Sequence, residues 1–501
     1  GMYLAPLIKT GAPLVSWIVQ IIVPGGGVKA SGAGGEIGGA PLTNWRSGIQ
    51  YRERNSRGGP AVRTGATREA RMGHDLNHDA QYRLLQRRLD RHVSGAPDSP
   101  ALMKILRLLY SPEEADLARR IPIRPTPLGA LSRRLGIEAS GLEATLSGMA
   151  ERGLVIDLEH AGRRYFSLPP LIIGFFEFTF MRVREDAPMG ELARLFESYM
   201  REDDRFARAA FAGRTQSCRS LVREEAIAED HTEVLDWERA TRIIETAGRL
   251  GVSLCSCRHK ASHLGRACGA PMRTCLTLNF AADSMIRSGM AEPIGVEEAL
   301  DILAACKGAG LAQTADNVQR SVTYICNCCG CCCELIQAMK RYDLRYAVVS
   351  SNWIAVLDGE GCAGCGRCVK GCPVGAIEMV ECEGGRRAAV REALCLGCGV
   401  CQGVCGRGAI RMERRAQRVY TPETIFDQMA AMAIERGKLA EMVFDDPEKL
   451  THRVLGRVLG LLERSPAARA ALAVAPLRSV FFEAVVRGAR RSTNGLSGMI
   501  S

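Results

Sequence analysis

One repeat constrains this chain more than any other feature. Cys362-Ala-Gly-Cys-Gly-Arg-Cys-Val-Lys-Gly-Cys-Pro373 is followed by Cys395-Leu-Gly-Cys-Gly-Val-Cys-Gln-Gly-Val-Cys405, so eight cysteines recur at a single offset of 33 residues. The sequence after each block recurs too, Cys372-Pro-Val-Gly-Ala-Ile-Glu-Met379 returning as Cys405-Gly-Arg-Gly-Ala-Ile-Arg-Met412. Self-similarity of this kind marks an internal duplication.

The spacing carries a mechanism. Three thiolates at C-x2-C-x2-C wrap one iron-sulfur cube, while the fourth reaches across to its neighbour. Cys362, Cys365, Cys368 and Cys405 are therefore expected to hold one [4Fe-4S] cluster, and Cys395, Cys398, Cys401 and Cys372 the other. Small residues between the ligands (Ala363, Gly364, Gly366, Gly397, Gly399) let the backbone approach a cube and offer it N–H groups. A pair of zinc ribbons would also use C-x2-C, but zinc sites close with four ligands and need no crossed eightfold repeat. Residues 352 to 415 resemble the bacterial two-cluster ferredoxin domain, which implies a pseudo-twofold fold with a short hairpin and a helix per half. Gly406 stands where that family usually has proline, which puts the turn after Cys405 in doubt but removes no ligand.

Length and composition bound the rest. A chain of 501 residues has room for three or so domains. Its 21 cysteines are clustered at metal-ligand spacings instead of spread as a stapling framework, which points to a reducing cytoplasm. The net charge of +11 comes partly from the first hundred residues, with 13 Lys and Arg against 7 Asp and Glu. No run reaches the roughly 18 apolar residues of a membrane span. Leu14 to Val23 imitates the core of a secretory signal, with Lys9 before it. Export is not the expectation, since a cofactor-loaded protein would need a twin-arginine signal.

Taken in order, residues 1–72 are rich in Gly, Arg and Ser without apolar periodicity and are expected to be a disordered leader, with Met72 a candidate true start. Residues 73–170 read as helix, helix, helix and β-wing: an apolar helix over Ala101–Tyr110, a capping-box start at Ser111 and Glu114, helices after Pro127 and Ser140, and strands at Leu154–Glu159 and Arg164–Leu168. The pattern is similar to a winged helix. Its third helix offers Glu143, Glu151 and one Arg152, so protein docking is favoured over DNA binding, although Arg133, Arg134, Arg163 and Arg164 can touch phosphates. Leu171–Met181 is expected to be a buried connector, Gly190–Ala212 one long amphipathic helix, Glu233–Leu250 another, and Val252–Leu254 a strand.

Within the central region, 171–350, four cysteines are candidates for a further centre, iron-sulfur or zinc: Cys255, Cys257, Cys268 and Cys275. Cys255 and Cys257 are expected on one face of an extended segment. Merely buried thiols are the plainer alternative. Arg258 is placed to stabilise a more negative cluster, while His259 and His263 are expected to face solvent or to lie behind the ligands, and Cys306 to be core. Tyr324 to Glu334 holds six cysteines in eight residues, Cys326, Cys328, Cys329, Cys331, Cys332 and Cys333. Whether they complete the first group, bind separately or exchange as dithiols stays open.

This combination resembles a family of large cytoplasmic proteins known as 4Fe-4S ferredoxin or 4Fe-4S dicluster domain proteins, over about residues 101 to 470. The expected fold is α+β and multidomain: a disordered leader (1–72), a winged-helix-like domain (73–170), a cysteine-rich central α/β domain (171–350), a two-cluster ferredoxin domain (351–418), a helical C-terminal region (419–486) with helices at Pro422–Lys438 and Pro447–Arg464 covering the ferredoxin domain, and a flexible tail (487–501). The resemblance implies electron transfer with a redox partner, donor or acceptor unspecified, and leaves open whether the chain is an enzyme or one component of an oxidoreductase system. No nucleotide fingerprint supports a self-contained dehydrogenase. A redox-sensing transcription regulator and an iron-sulfur scaffold are the alternatives.

Overall fold

The computed structural model describes residues 78–227, 234–383 and 385–444, with positions 454, 456, 457 and 460 beyond them. The expected leader, its candidate start at Met72, the tail from 487 and most of the helix at Pro447–Arg464 lie outside the described residues.

Helical signals in the sequence are obeyed closely at the start. After α1 (His78–Asp90), Ser99 caps α2 (Pro100–Leu109) by accepting from Leu102 N at 3.1 Å, with Pro100 in the first turn where no N–H is needed. Ser111 and Glu114 close the capping box of α3 (Pro112–Arg120), at 3.2 and 3.0 Å. Strand β1 (Thr126–Pro127) leads into α4 (Leu128–Leu135), which stops at left-handed Gly136, and α5 (Ala139–Glu151) follows. Strands β2 (Ile156–His160) and β3 (Arg163–Ser167) pair as a hairpin, and β1 joins them in the order β1-β3-β2.

This layer is docked within the chain. Leu158 and Tyr165 of the hairpin pack with Phe280, and Arg287 reaches Asp157 at 3.0 Å. The connector at 171–175 runs buried into α6 (Phe176–Phe180), whose rings gather with Phe196 of α7 (Met189–Arg201). The single long helix expected at Gly190–Ala212 is two, because Glu202-Asp-Asp204 breaks it. Asp203 turns its carboxylate onto the N–H of Arg205 at 2.9 Å, and α8 (Arg205–Phe211) starts there.

The central region is a six-stranded antiparallel sheet in the order β4-β8-β9-β6-β5-β7, formed by β4 (Cys218–Ser220), β5 (Leu250–Leu254), β6 (Arg273–Leu278), β7 (Glu292–Pro293), β8 (Ala312–Asp316) and β9 (Tyr324–Cys328). Among the described residues of the helix expected over Glu233–Leu250, a 3-10 turn (Asp236–Glu238) and the short α9 (Ala240–Glu245) form, and Leu250 already belongs to β5. Helices α10 (Ser256–His263), α11 (Asn279–Arg287) and α12 (Val296–Gly308) connect strands β5 to β8, and α13 (Glu334–Tyr342) follows β9.

Beyond it, β10 (Trp353–Leu357), α14 (Arg367–Gly371), β11 (Ile377–Cys382), β12 (Gly385–Val390), α15 (Val400–Gly403) and β13 (Ile410–Arg414) carry the repeat, β10 pairing with β13 and β11 with β12. Helix α16 (Ile425–Glu435), opened by a Thr424–Asp427 capping box, and α17 (Leu439–Val443) follow. The helix at Pro422–Lys438 was expected over the repeat, but the polar ties of α16 and its end cross to the helical layer and the central sheet: Glu435 accepts from Thr215, Arg436 donates to Val93 O and Ala210 O, and Gln428 donates to Ser217 O.

One apolar core runs from Tyr82 and Leu106 through Phe196 and Cys328 to Val374 and Leu396, so the sequence regions share an interior. Among the described residues, no helix is long and apolar enough to cross a membrane.

Candidate metal centres

In each half of the repeat, two glycines set the path of the ligand loop. Gly364 and Gly366 have φ of 65° and 69°, and their counterparts Gly397 and Gly399 have 68° and 80°. A side chain at Gly364 would run into Arg386 O, and one at Gly397 into Trp353 O, so glycine is required for both conformation and space.

These loops cross the fourth cysteines over. Cys372 lies with Cys395, Cys398 and Cys401 around one cavity of about 320 Å³ counting its mouth. Cys368 sits within electrostatic reach of Cys362 and Cys405. Backbone N–H groups turn toward sulfur, Ala376 N lying 3.2 Å from Cys372 Sγ. The departure at Gly406 leaves the turn intact: Gly408 N donates to Cys405 O at 3.0 Å, as Gly375 N does to Cys372 O at 3.3 Å.

The two sets differ in surroundings. In the first set Cys365 is exposed, Cys362 and Cys405 are half-buried and Cys368 is buried, whereas in the second Cys398 and Cys401 are buried and Cys372 and Cys395 half-buried. Burial pushes the Cys398 thiol up to about 12, with Cys372 and Cys395 adding to it, and raises Cys401 likewise. Arg223 lies against this inner set: its N–H donates to Cys398 O at 3.1 Å, and its guanidinium is anchored on Lys307 O and Leu311 O. Arg415 holds Cys395 O at 2.6 Å.

Residues 355–412 match the family model of the 4Fe-4S dicluster domain. The chain carries such a domain within a larger protein. No curated protein and no solved structure matches it. A dicluster domain implies two [4Fe-4S] clusters, and two crossed four-thiol sets with glycine-opened loops are a donor set of the right chemistry for them.

The central cysteines divide in a way their spacing does not suggest. Cys268 meets Cys329, Cys331 and Cys332, all four sulfurs lying within 4.8 Å of one another, a group able to hold another metal. Cys255, Cys257 and Cys275, expected beside Cys268, stand instead with Cys326, Cys328 and Cys333. The cause is local. Cys255 follows β5 directly and is the N-cap residue of α10, so Cys257 is carried on the helix instead of an extended segment, and Cys268 emerges beyond the helix's far end. Cys275 lies inside β6 and not in a glycine-flanked turn. The six-cysteine run is itself split: Cys326 and Cys328 share a face of β9, Gly330 bends the chain, and Cys333 caps α13. That alternation is legible in the sequence and would have foretold the split.

Arg258 lies between the two groups, wholly buried. It donates to Asn327 O at 3.0 Å and to Thr274 Oγ1, and although burial works against its charge, the sulfurs of Cys255, Cys329 and Cys328 raise its pKa. His259 is buried, its Nδ1 2.8 Å from Phe180 O, while His263 is exposed. Cys306 is core, its thiol pushed up to about 11 by burial. Behind the groups, buried Lys260 binds Glu334 at 2.5 Å and Glu197 at 2.6 Å, and Arg201 binds Glu334 at 3.0 Å, tying α10 to α13 and α7.

Proposed function

We propose that this protein is an iron-sulfur electron-transfer protein, which passes single electrons through its dicluster domain between an external partner and the central cysteine region. When bound, the two clusters supply one-electron redox chemistry at low potential. The chain's part is to set two ligand sets in different surroundings. Cys362, Cys365, Cys368 and Cys405 form the outer set, with Cys365 at the surface where a partner can approach. Cys372, Cys395, Cys398 and Cys401 form the inner set, which Arg223 and Arg415 hold against the rest of the protein.

The observation that carries this reading is the contact between Gly330 and Pro373. A Cβ on Gly330 would lie 2.5 Å from Pro373 O, so the six-cysteine run abuts the residue that follows Cys372. We read the helix-and-hairpin layer as a docking layer of this chain and not a DNA reader. Arg152 is bound to Glu114, Arg164 to Asp157 and Glu143, and the hairpin packs on Phe280.

The test is anaerobic redox titration of the full chain followed by electron paramagnetic resonance. At least two reducible [4Fe-4S] centres per chain are expected, and Cys365→Ser should alter one of them alone. Zinc in place of iron at the eight thiols, or clusters that no low-potential reductant reduces, would sink the proposal.

A further inference from the structure

Six thiols gather at one end of the central sheet, contributed by the adjacent strands β6 and β9 and by the starts of α10 and α13. The pairings Leu276↔Ile325 and Thr277↔Tyr324 place Cys275 opposite Cys326 across β6 and β9. Cys328 lies two residues along on the same face, and Cys333 Sγ donates to Cys328 Sγ at 3.5 Å. Cys257 lies beside Cys333, and Cys255 lies beside both Cys257 and Cys275, which closes the circuit. We propose that Cys255, Cys257, Cys275, Cys326, Cys328 and Cys333 form an iron-sulfur cluster site of their own, distinct from the group of Cys268, Cys329, Cys331 and Cys332, which takes a single tetrahedral ion.

Spacing separates the two chemistries. A single ion with metal-sulfur arms of about 2.3 Å draws its four sulfurs to about 3.8 Å apart. In a cluster each thiolate binds a different iron, so the thiolates stand further from one another. Among the described residues, the Cys268 group alone brings three or more ligand atoms within 4.8 Å of one another. The dicluster thiols do not, and neither do the six. By this measure the four are a one-ion site, whereas the six meet in successive pairs, Cys333 and Cys328 at 3.5 Å, with no three of them close enough to share a single ion.

The surroundings fit an anionic, sulfur-rich guest. Helices α10 and α13 begin at Cys255 and Cys333, and neither start is capped by a side-chain oxygen. Their first-turn N–H groups lie close to sulfur: Arg258 N–H by Cys255, Glu334 N–H by Cys257 and Ile336 N–H by Cys333. Arg258 adds a buried positive charge at the same place. Cys328 and Cys333 belong to the apolar core, with Cys257 and Cys326 packed against it, and once ionised to bind a guest these thiolates repel one another unless cations lie between them.

Acid-labile sulfide in the full chain, purified under argon and reconstituted with ferrous iron and sulfide, separates the sites. The dicluster domain accounts for about eight sulfides, four per cluster, and a one-ion site adds none. The expected result is a count clearly above eight. Cys275→Ser and Cys326→Ser should each remove the excess while the dicluster signals persist, and Cys331→Ser should cost one metal ion and no sulfide. Should the serine variants fail to fold, Mössbauer spectra of the unaltered chain decide, by showing clustered iron beyond two cubes or none. A sulfide count of eight or fewer overturns the proposal. With eight sulfides and a redox-active dicluster, the electron-transfer reading would stand without it.

Discussion

The half of the dicluster domain built on Cys362, Cys365 and Cys368 has an exposed ligand, and its Gly406 has only the tip of Arg367 nearby, 3.5 Å from a notional Cβ. In the half built on Cys395, Cys398 and Cys401 two ligands are buried, Gly399 is pressed by Arg223 and Ala226, and Pro373, which follows the crossed ligand Cys372, is pressed by Gly330. The repeat specifies the same ligand loops twice. What differs comes from residues outside it, above all Arg223, Gly330 and Arg415. Two copies of one motif can thus serve as an outer and an inner site without any change in the ligands.

If the inner half depends on the bed beneath it and the outer half does not, disturbing that bed gives the largest effect. Lys260 is fully buried between Glu334 and Glu197, and Lys260→Met would leave their carboxylates short of a partner, with only Arg201 and the half-exposed Arg266 remaining. Breaking a buried pair on one side costs roughly 3 kcal/mol or more. Anaerobic urea unfolding should show that loss, together with reduced occupancy of the inner cluster. The exposed pair Arg411–Glu413 belongs to the repeat's outer surface, and Arg411→Met should change stability no more than a screened surface pair does. Equal effects from the two variants would erase the distinction.

A finer comparison uses single methyl groups. Gly330→Ala drives a Cβ into Pro373 O, where both sides are backbone and neither can yield easily. An overpacking cost of about 1–3 kcal/mol is expected, read in the urea midpoint. At Gly406, the outer counterpart of Pro373, alanine meets only the movable end of Arg367 and should be close to neutral. If Gly406→Ala proved the more damaging of the two, the outer half would be the constrained one.

How far these contacts could be read from the chain depended on range. The dicluster ligand loops, the capping box at Ser111 and the turn at Gly136 follow from local spacing, and the structure has matching loops and elements there. The partition of the central cysteines was not legible from ligand counting, because it is decided by which strands are neighbours. Cys275 meets Cys326 only once β6 and β9 pair, although fifty residues separate them in sequence. The break after Arg201 was missed because the apolar period continues across it through Phe206, while the Asp203 carboxylate takes the Arg205 N–H locally.

The smallest effect is expected from pH, acting on the sheet against which the inner half rests. Ala312 of β8 packs with Cys398 and Val400, and the same strand ends in Asp316, a buried carboxyl that accepts from Thr323 N at 2.6 Å and from Thr323 Oγ1. Burial pushes Asp316 up to about 6 from an ordinary 3.8, against the pull of those hydrogen bonds and of Arg219. Its folded pKa therefore lies above its unfolded one, so the stabilisation it contributes is complete below about 3.8 and is lost as pH rises through about 6. Between pH 5 and 7.5 the protein should lose about 1 kcal/mol that an Asp316→Asn variant does not lose, since asparagine keeps an acceptor for Thr323 without a proton to release. The comparison is between two chains at each pH, so acid lability of the clusters, common to both, cancels. Identical pH slopes for the two chains would show that Asp316 is already charged in the folded sheet, and β8 would then be no more sensitive to pH than the exposed outer half.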